Sequence, residues 1–305
     1  MKTIYYIMII VLGIIIFLIA LILLTYKIFL NKIYQRPKNN PIEFLKKKKE
    51  RNSKKPKRKR IVFVGDSLTH GNLSSNYIEL VAEKIGEEKF EYINAGINAH
   101  TTYNILERIE NIIACDPDFI IVLIGTNDAN REIELYNNIL VKRVIELPRK
   151  PTKKWFTENL MEIGTRLKKE TNAKIAICSI PPVGEDPKHK AFKQSVEYSR
   201  IIKEIAIKLE VSYLPVNEKM LEYLKENSPK PKYPVEQRLV EKTAMKHFLL
   251  GKSLDKISKE HGFELLIDHV HLNTKGATMI AKLIVEFLKA EEKRLKKLDS
   301  RMVLS

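Results

Sequence analysis

This chain of 305 residues is short of cysteine, of tryptophan and, at one end, of negative charge. It has two cysteines, Cys115 and Cys178, and one tryptophan, Trp155. Two cysteines cannot staple a disulfide scaffold or fill an all-cysteine zinc site. Both lie in or beside apolar segments, where free thiols are usually buried. Acidic residues are nearly missing from the first 60 positions, where Glu43 and Glu50 stand against 16 Lys and Arg. The rest of the chain holds 38 basic and 35 acidic residues, so most of the formal net charge of +17 belongs to the N-terminal segment. A body so nearly balanced argues against a nucleic-acid partner, which needs a basic face. His70, His100 and His269 fall in no recognisable metal-ligand spacing with a third ligand, so no metal site is expected. No internal repeat is visible.

What is present begins with an uncharged run of 21 residues, Ile4 to Leu24. At ~1.5 Å per residue a helix of this length crosses a ~30 Å hydrocarbon core. A cleaved signal peptide has a shorter apolar region followed by small residues. Here the run ends in Leu-Leu-Thr-Tyr-Lys, which predicts a retained anchor over residues 1–26, with residues 4–26 in the membrane. Residues 27–60 form a basic linker that includes Lys46–Lys49 and Lys57–Arg60, broken by Pro37, Pro41 and Pro56. Repelling charges without apolar periodicity predict disorder. The linker is then either a solvated spacer or an attachment to anionic lipid, at roughly 1 kcal/mol per basic residue. Lys27, Lys32, Arg36 and Lys38 follow the run closely, and the positive-inside rule puts such a flank, and the domain behind it, in the cytoplasm. An uncleaved signal anchor would put the domain on the other side.

From residue 61 the pattern alternates. Apolar runs at Ile61–Val64, Phe90–Ile93, Phe119–Ile124, Lys174–Ile180 and Val211–Val216 read as strands. Helical spacing occupies Asn76–Ile85, Thr102–Ala114, Phe156–Lys169, Ala191–Leu209 and Thr274–Lys289. Strands alternating with helices predict an α/β fold, a three-layer α/β/α sandwich around a parallel sheet. The folded domain is expected over 61–298, with insertions at about 129–155 and 217–262 and a tail at 299–305. The second insertion has a helical piece at roughly Glu236–Leu250, and both are candidate lids.

Open parallel sheets bind ligands beyond the carboxyl ends of their strands. After the first strand comes Gly65-Asp66-Ser67-Leu68-Thr69, after the second Asn94-Ala95-Gly96, and after the third Gly125-Thr126-Asn127-Asp128. Asp268-His269-Val270-His271 precedes the last helix. A serine hydroxyl needs a base to become a nucleophile, and a neutral histidine is the natural one. That histidine needs an acceptor on its other nitrogen, and Asp268 stands three residues before His271. The catalytic candidates are therefore Ser67, Asp268 and His271. Attack on an ester creates an oxyanion, for which the Ser67 and Gly96 N–H groups and the Asn127 amide are the candidate donors. Glycine at 96 would let the backbone approach the substrate. Asp66 is read as organising the turn around Ser67, His269 as a bystander beside the base, and Trp155 as a packing residue.

GDSLT at 65–69, Gly96, GTND at 125–128 and DHVH at 268–271 together resemble the four signature blocks of the SGNH/GDSL hydrolases, in order, over roughly residues 60–290. The resemblance implies a flavodoxin-like sandwich with a five-stranded parallel sheet. It also implies hydrolysis of carboxylic esters or thioesters without metal or organic cofactor. The residues that name the family would be Ser67, Gly96, Asn127 and His271. The anchor and the 217–262 insertion depart from the pattern and leave the substrate open between a lipid acyl ester and an O-acetyl group on a glycan. An acyltransferase using the same triad, or a noncatalytic binding module on the same fold, are the alternatives.

Overall fold

The computed structural model of the chain describes residues 2–50, 58–135 and 145–302. Parts of four expected segments lie outside them: residue 1 of the anchor, 51–57 of the linker, 136–144 of the first insertion and 303–305 of the tail.

Five strands form one parallel sheet: β1 (Lys59–Gly65), β2 (Phe90–Gly96), β3 (Phe119–Leu123), β4 (Lys174–Cys178) and β5 (Ser212–Leu214), in the order β2-β1-β3-β4-β5. The strands read as continuous apolar runs because both faces are covered. Ile61, Phe63, Phe119, Ile121, Leu123, Ala176 and Cys178 point to one face, and Val62, Val64, Ile120, Val122, Ile175 and Ile177 to the other. The first face packs against α4 (Tyr77–Ile85), α10 (Val216–Asn227) and α13 (Thr274–Met302). The second packs against α5 (Thr102–Leu106), α6 (Ile109–Ile113), α8 (Lys153–Glu170) and α9 (Lys190–Lys208). The chain moves outward from β1 to β2, then reverses to β3, and its helices change face with the reversal, as right-handed crossovers require.

The remaining helices are α1 (Lys2–Tyr34), α2 (Pro41–Glu50), α3 (Ser67–His70), α7 (Thr126–Glu132), α11 (Gln237–Phe248) and α12 (Leu254–His261). The apolar window of α1 is long enough to cross a membrane and has none of its surface buried in the protein.

Three expectations need correction. The stretch read as a disordered linker is helical through Tyr34 and again over α2. Phe44 and Leu45 pack on the sheet's second layer, and the guanidinium of Arg60 lies 5.5 Å from the Phe44 ring. Four consecutive lysines masked this short apolar pair. The linker also grips the sheet edge, where Asn94 N–H donates to Asn39 O at 3.1 Å and Asn39 Nδ2 donates to Tyr92 O at 2.7 Å. Secondly, the helix expected over Thr102–Ala114 is two short helices, because Arg108 leaves helical geometry and reaches back to donate to Gly65 O at 3.0 Å. Thirdly, the last helix continues to Met302, into the stretch read as a tail.

Candidate active site

The sheet order makes the carboxyl ends of β1 and β3 a topological switch point, since the chain leaves these neighbours in opposite directions. β1 runs into Asp66, whose carboxylate Oδ1 accepts the Leu68 N–H at 3.0 Å and caps α3. Ser67 is thus the first residue of a helix, and its own N–H is among those a helix start leaves without an intrahelical acceptor. Two glycines allow α3 to lie against the strand ends. A Cβ on Gly65 would collide with Thr69, and one on Gly96 would collide with the His70 backbone nitrogen. Gly96 is therefore required by the packing of β2 on α3.

The other half of the site is a turn before α13. Leu266 and Leu272 form an antiparallel bridge, and Ile267 N–H donates to His271 O at 2.8 Å. Within the turn, Asp268 Oδ1 accepts the N–H groups of Val270 at 3.1 Å and His271 at 2.9 Å. His269 takes φ +78°, the left-handed region, which reverses the chain and sends its ring away to Pro234 O, 2.8 Å from Nε2. Its side chain therefore leaves the site, as expected of a bystander. The turn is stitched to the loop after α3: Ser75 N–H donates to Leu272 O at 2.8 Å, and Leu272 N–H donates to Ser74 Oγ at 2.9 Å. These bonds hold His271 in register with a serine 204 positions earlier.

His271 Nε2 stands 3.0 Å from Ser67 Oγ, and His271 Nδ1 lies 2.9 Å from Asp268 Oδ2 and 3.1 Å from Oδ1. All three side chains are buried. Nδ1 faces a carboxylate and so carries the proton in the neutral ring, leaving the Nε2 lone pair for the serine hydroxyl. Burial opposes an imidazolium here, but the Asp268 charge outweighs it and raises the His271 pKa above its ordinary value. Burial likewise pushes Asp268 up, yet His271 and the backbone donors prevail and its pKa falls. The two shifts describe one coupled pair that is stabler charged than apart.

Asn127, on α7, points its amide into the same place. Nδ2 donates to His100 O at 3.0 Å and, more loosely, to Asp66 Oδ2 at 3.3 Å. Gly96 N–H donates to Asn94 Oδ1 at 2.8 Å. Of the three expected oxyanion donors, the Ser67 N–H is therefore left uncommitted by helix geometry, while Asn127 holds one good bond and one long one, and Gly96 one good one. Asp66 is buried, and desolvation, outweighing the Leu68 N–H and the His271 charge, pushes its pKa to about 7. Its grip on Asn127 thus weakens as it takes a proton near neutrality.

Sequence reasoning missed the supports. Asp128 accepts from Thr102 N at 3.1 Å and Thr102 Oγ1 at 2.6 Å, tying α7, which carries Asn127, to α5. Asn94 and the Ser74–Ser75 pair were also unread, although buried polar residues at strand ends are the signal that finds them. Burial, followed by Arg108, Arg36 and Arg131, pushes the His100 pKa down to about 3. Trp155 packs on Tyr103 and under Arg149, as a packing residue should. Cys115 and Cys178 are buried, and burial pushes both thiols up. A 560 Å³ cleft between Ser228–Lys230 and Asp255–Lys275 contains no triad residue, so the reacting atoms rather than concavity identify the site.

Comparison with solved structures returns the same fold. The acetyl xylan esterase AlAXEase superimposes with a TM-score of 0.54 at 20% identity, covering 74% of this chain and 97% of its own. Axe2, an acetylxylan esterase from Geobacillus stearothermophilus, gives 0.52 at 17% identity, covering 77% and 95%. LAE5, an alpha/beta hydrolase from the metagenome of Lake Arreo, Spain, gives 0.52 at 15% identity, covering 76% and 95%. No curated protein matches by sequence. The model of the GDSL-like lipase/acylhydrolase family matches residues 63–279, from the middle of β1 into α13, and so spans all four motifs. With this match over most of its length, the chain belongs to the GDSL-like lipase/acylhydrolase family, and its general chemistry is ester hydrolysis.

Proposed function

We propose that this protein is a membrane-anchored serine esterase that works through an acyl-enzyme on Ser67. The observation that carries the reading is the continuous chain of contacts from Ser67 Oγ to His271 Nε2 at 3.0 Å and from His271 Nδ1 to Asp268 Oδ2 at 2.9 Å. Ser67 Oγ attacks the ester carbonyl carbon while its proton passes to His271 Nε2. Asp268 keeps the proton on Nδ1 and stabilises the imidazolium. The Ser67 N–H and the Asn127 amide donate to the oxyanion, Asn127 giving up its longer bond to Asp66; Gly96 joins only by sharing its N–H with Asn94. Collapse breaks the ester C–O bond, and His271 returns the proton to the departing alcohol. Water then repeats the sequence on the acyl-enzyme and releases the acid.

The anchor is α1, and the side of the membrane follows the basic flank, which favours the cytoplasm. The linker over 27–60 supplies charge for anionic lipid next to it. A lipid acyl ester is the first substrate reading, since α1 ends against the loops that carry the site. An acetyl ester on a glycan is the second, after the acetyl xylan esterases that share the fold. A series of p-nitrophenyl esters of rising chain length separates the two.

Ser67→Ala tests the core of the proposal by removing one oxygen. Turnover and labelling by a fluorophosphonate probe should both disappear while the thermal transition stays. Labelling that persists in the variant would move the nucleophile elsewhere. Protease added to intact spheroplasts tests the side: a linker cut without breaking the membrane rejects the cytoplasmic placement, provided a cytoplasmic control survives.

A further inference from the structure

The last turns of α1 do not end in solvent. Asn72 Nδ2 donates to Lys32 O at 3.0 Å and Ile33 O at 2.9 Å, and Asn98 Nδ2 donates to Ile33 O at 2.7 Å. These asparagines supply donors that the C-terminal carbonyls of a helix lack. Asn72 follows Ser67 in the loop after α3, and Asn98 follows Gly96. The helix therefore docks on the rim that carries the candidate active site. On its other side it meets the second insertion: the rings of Phe29 and Phe248 are 6.3 Å apart, and Lys32 Nζ donates to Phe248 O at 3.2 Å. That insertion also covers the histidine turn, through Pro234 O on His269 and Val235 packed near Val270.

Outside α1, the large apolar side chains exposed among the described residues are few: Ile42, Ile207, Tyr233, Met245, Leu249 and Leu250. Three of the six fall within one six-residue stretch at the end of α11, and Leu250 is the most exposed at 75%. On α11 the exposed stripe runs from Arg238, Glu241 and Lys242 to Met245 and on to Leu249, from charged to apolar, toward the contact with α1. Helical spacing sets the depth. Phe29 is five residues beyond Leu24, or ~7.5 Å along the axis, and Ile33 nine residues, or ~13.5 Å. The headgroup layer is roughly 5–8 Å thick on each side of the hydrocarbon core, and interfacial helices bury their apolar face about 5–10 Å into this boundary. Phe248, and the leucines that follow it, lie at that level.

Resting on the reading of α1 as a membrane span, we propose that Met245, Leu249 and Leu250 sit in the interface of the bilayer that holds α1, so that the catalytic rim faces the lipid surface. The occupant of this apolar lip is the bilayer itself, because the lip is continuous with the span through the Phe29–Phe248 contact. Arg238 and Lys242, at the charged end of the stripe, then meet lipid phosphates.

The test uses the full chain in proteoliposomes of phosphatidylcholine and phosphatidylglycerol. Native Cys115 and Cys178 are buried, so a single introduced cysteine takes a maleimide-linked NBD fluorophore selectively. Three variants are compared: Ile16→Cys in the middle of the span, Leu250→Cys on the lip, and Ile207→Cys. Ile207 is exposed near the end of α9 and belongs to the opposite rim, beside the start of β5. Lipid carrying a doxyl quencher high on the acyl chain should quench positions 16 and 250 and spare 207. Quenching at 16 with none at 250 overturns the inference and leaves the anchor standing. No quenching at 16 removes the anchor reading, and the inference with it. Shielding of 250 from aqueous iodide without doxyl quenching means a protein partner and also overturns it, as does equal quenching at 250 and 207.

Discussion

Asp268→Asn separates the two duties of the Asp268 carboxylate. In the native turn Oδ1 accepts the backbone N–H groups of Val270 and His271, while Oδ2 faces His271 Nδ1 at 2.9 Å. Asparagine keeps an oxygen for the two backbone donors, so the turn survives. Alanine would leave those buried donors unpaired, at a cost of about 1–3 kcal/mol each. The asparagine NH2 takes the place of Oδ2 and is itself a donor. It forces the imidazole to carry its proton on Nε2, where the ring has nothing with which to accept the Ser67 proton. Comparable triads lose about 10⁴ in kcat from this change, which is about 5.5 kcal/mol of transition-state stabilisation. Turnover of p-nitrophenyl acetate should therefore fall by that order, with KM little changed and the thermal transition kept. The loss of the Asp268 charge also removes what raises the His271 pKa, so the acid limb of the residual activity should move to lower pH. A fall in kcat of less than tenfold, with the fold intact, would refute the assignment of Asp268 and turn attention to Asp66.

Three further outcomes follow from the same geometry. His271→Ala should lower kcat about 10³-fold or more, whereas His269→Ala, whose ring is committed to Pro234 O, should show a much smaller effect on the same ester. Asn127→Ala should lower kcat by about 10²–10³ with little change in KM, because its amide acts on charge that develops only in the transition state; a rise in KM at constant kcat would make it a ground-state contact. In wild type, the base must be neutral and its pKa is raised, so kcat/KM should be lost as pH falls through a midpoint above the ordinary 6.5, and a midpoint well below that value would contradict the Asp268–His271 coupling.

The sandwich was legible because both of its faces leave a mark on the strands. Phe119–Leu123 is apolar at every position, which only a strand covered on both sides tolerates, and the helices between strands carry single apolar stripes. Ser67, Asp268 and His271 were legible because they sit at strand ends and turns, where a polar residue has few structural reasons to be buried. The supports were harder to read. Asp128, Thr102 and Asn94 are ordinary turn and cap residues by type, and only the folded chain shows them holding Asn127 and Gly96 in place. Gly96 shows the same limit from the other direction. A packing reason for glycine there leaves no mark in the sequence, because the atom a Cβ would meet, the His70 nitrogen, lies on a separate element.

The linker failed as a reading for a reason that bears on function. Charge density predicts that Pro41–Glu50 repels itself into solvent, but a helix needs only one stripe, and Phe44 and Leu45 supply it against the sheet's second layer. The lysines then occupy the remaining faces; Lys48 Nζ, for one, donates to Ala114 O at 3.3 Å. A tether that was disordered throughout would let the domain wander over many orientations relative to α1. One that is helical through Tyr34, capped by Asn72 and Asn98, and pinned to β2 through Asn39 presents a single face. That face carries Ser67 and His271. On the proposal that α1 spans a bilayer, fixing this face beside it would convert collision with a bilayer-borne ester from a search over orientations into one along the surface, with part of the rotational cost of meeting the substrate met in folding. The bilayer-facing arrangement and the lipid acyl reading therefore support one another through the cap that Asn72 and Asn98 place on α1.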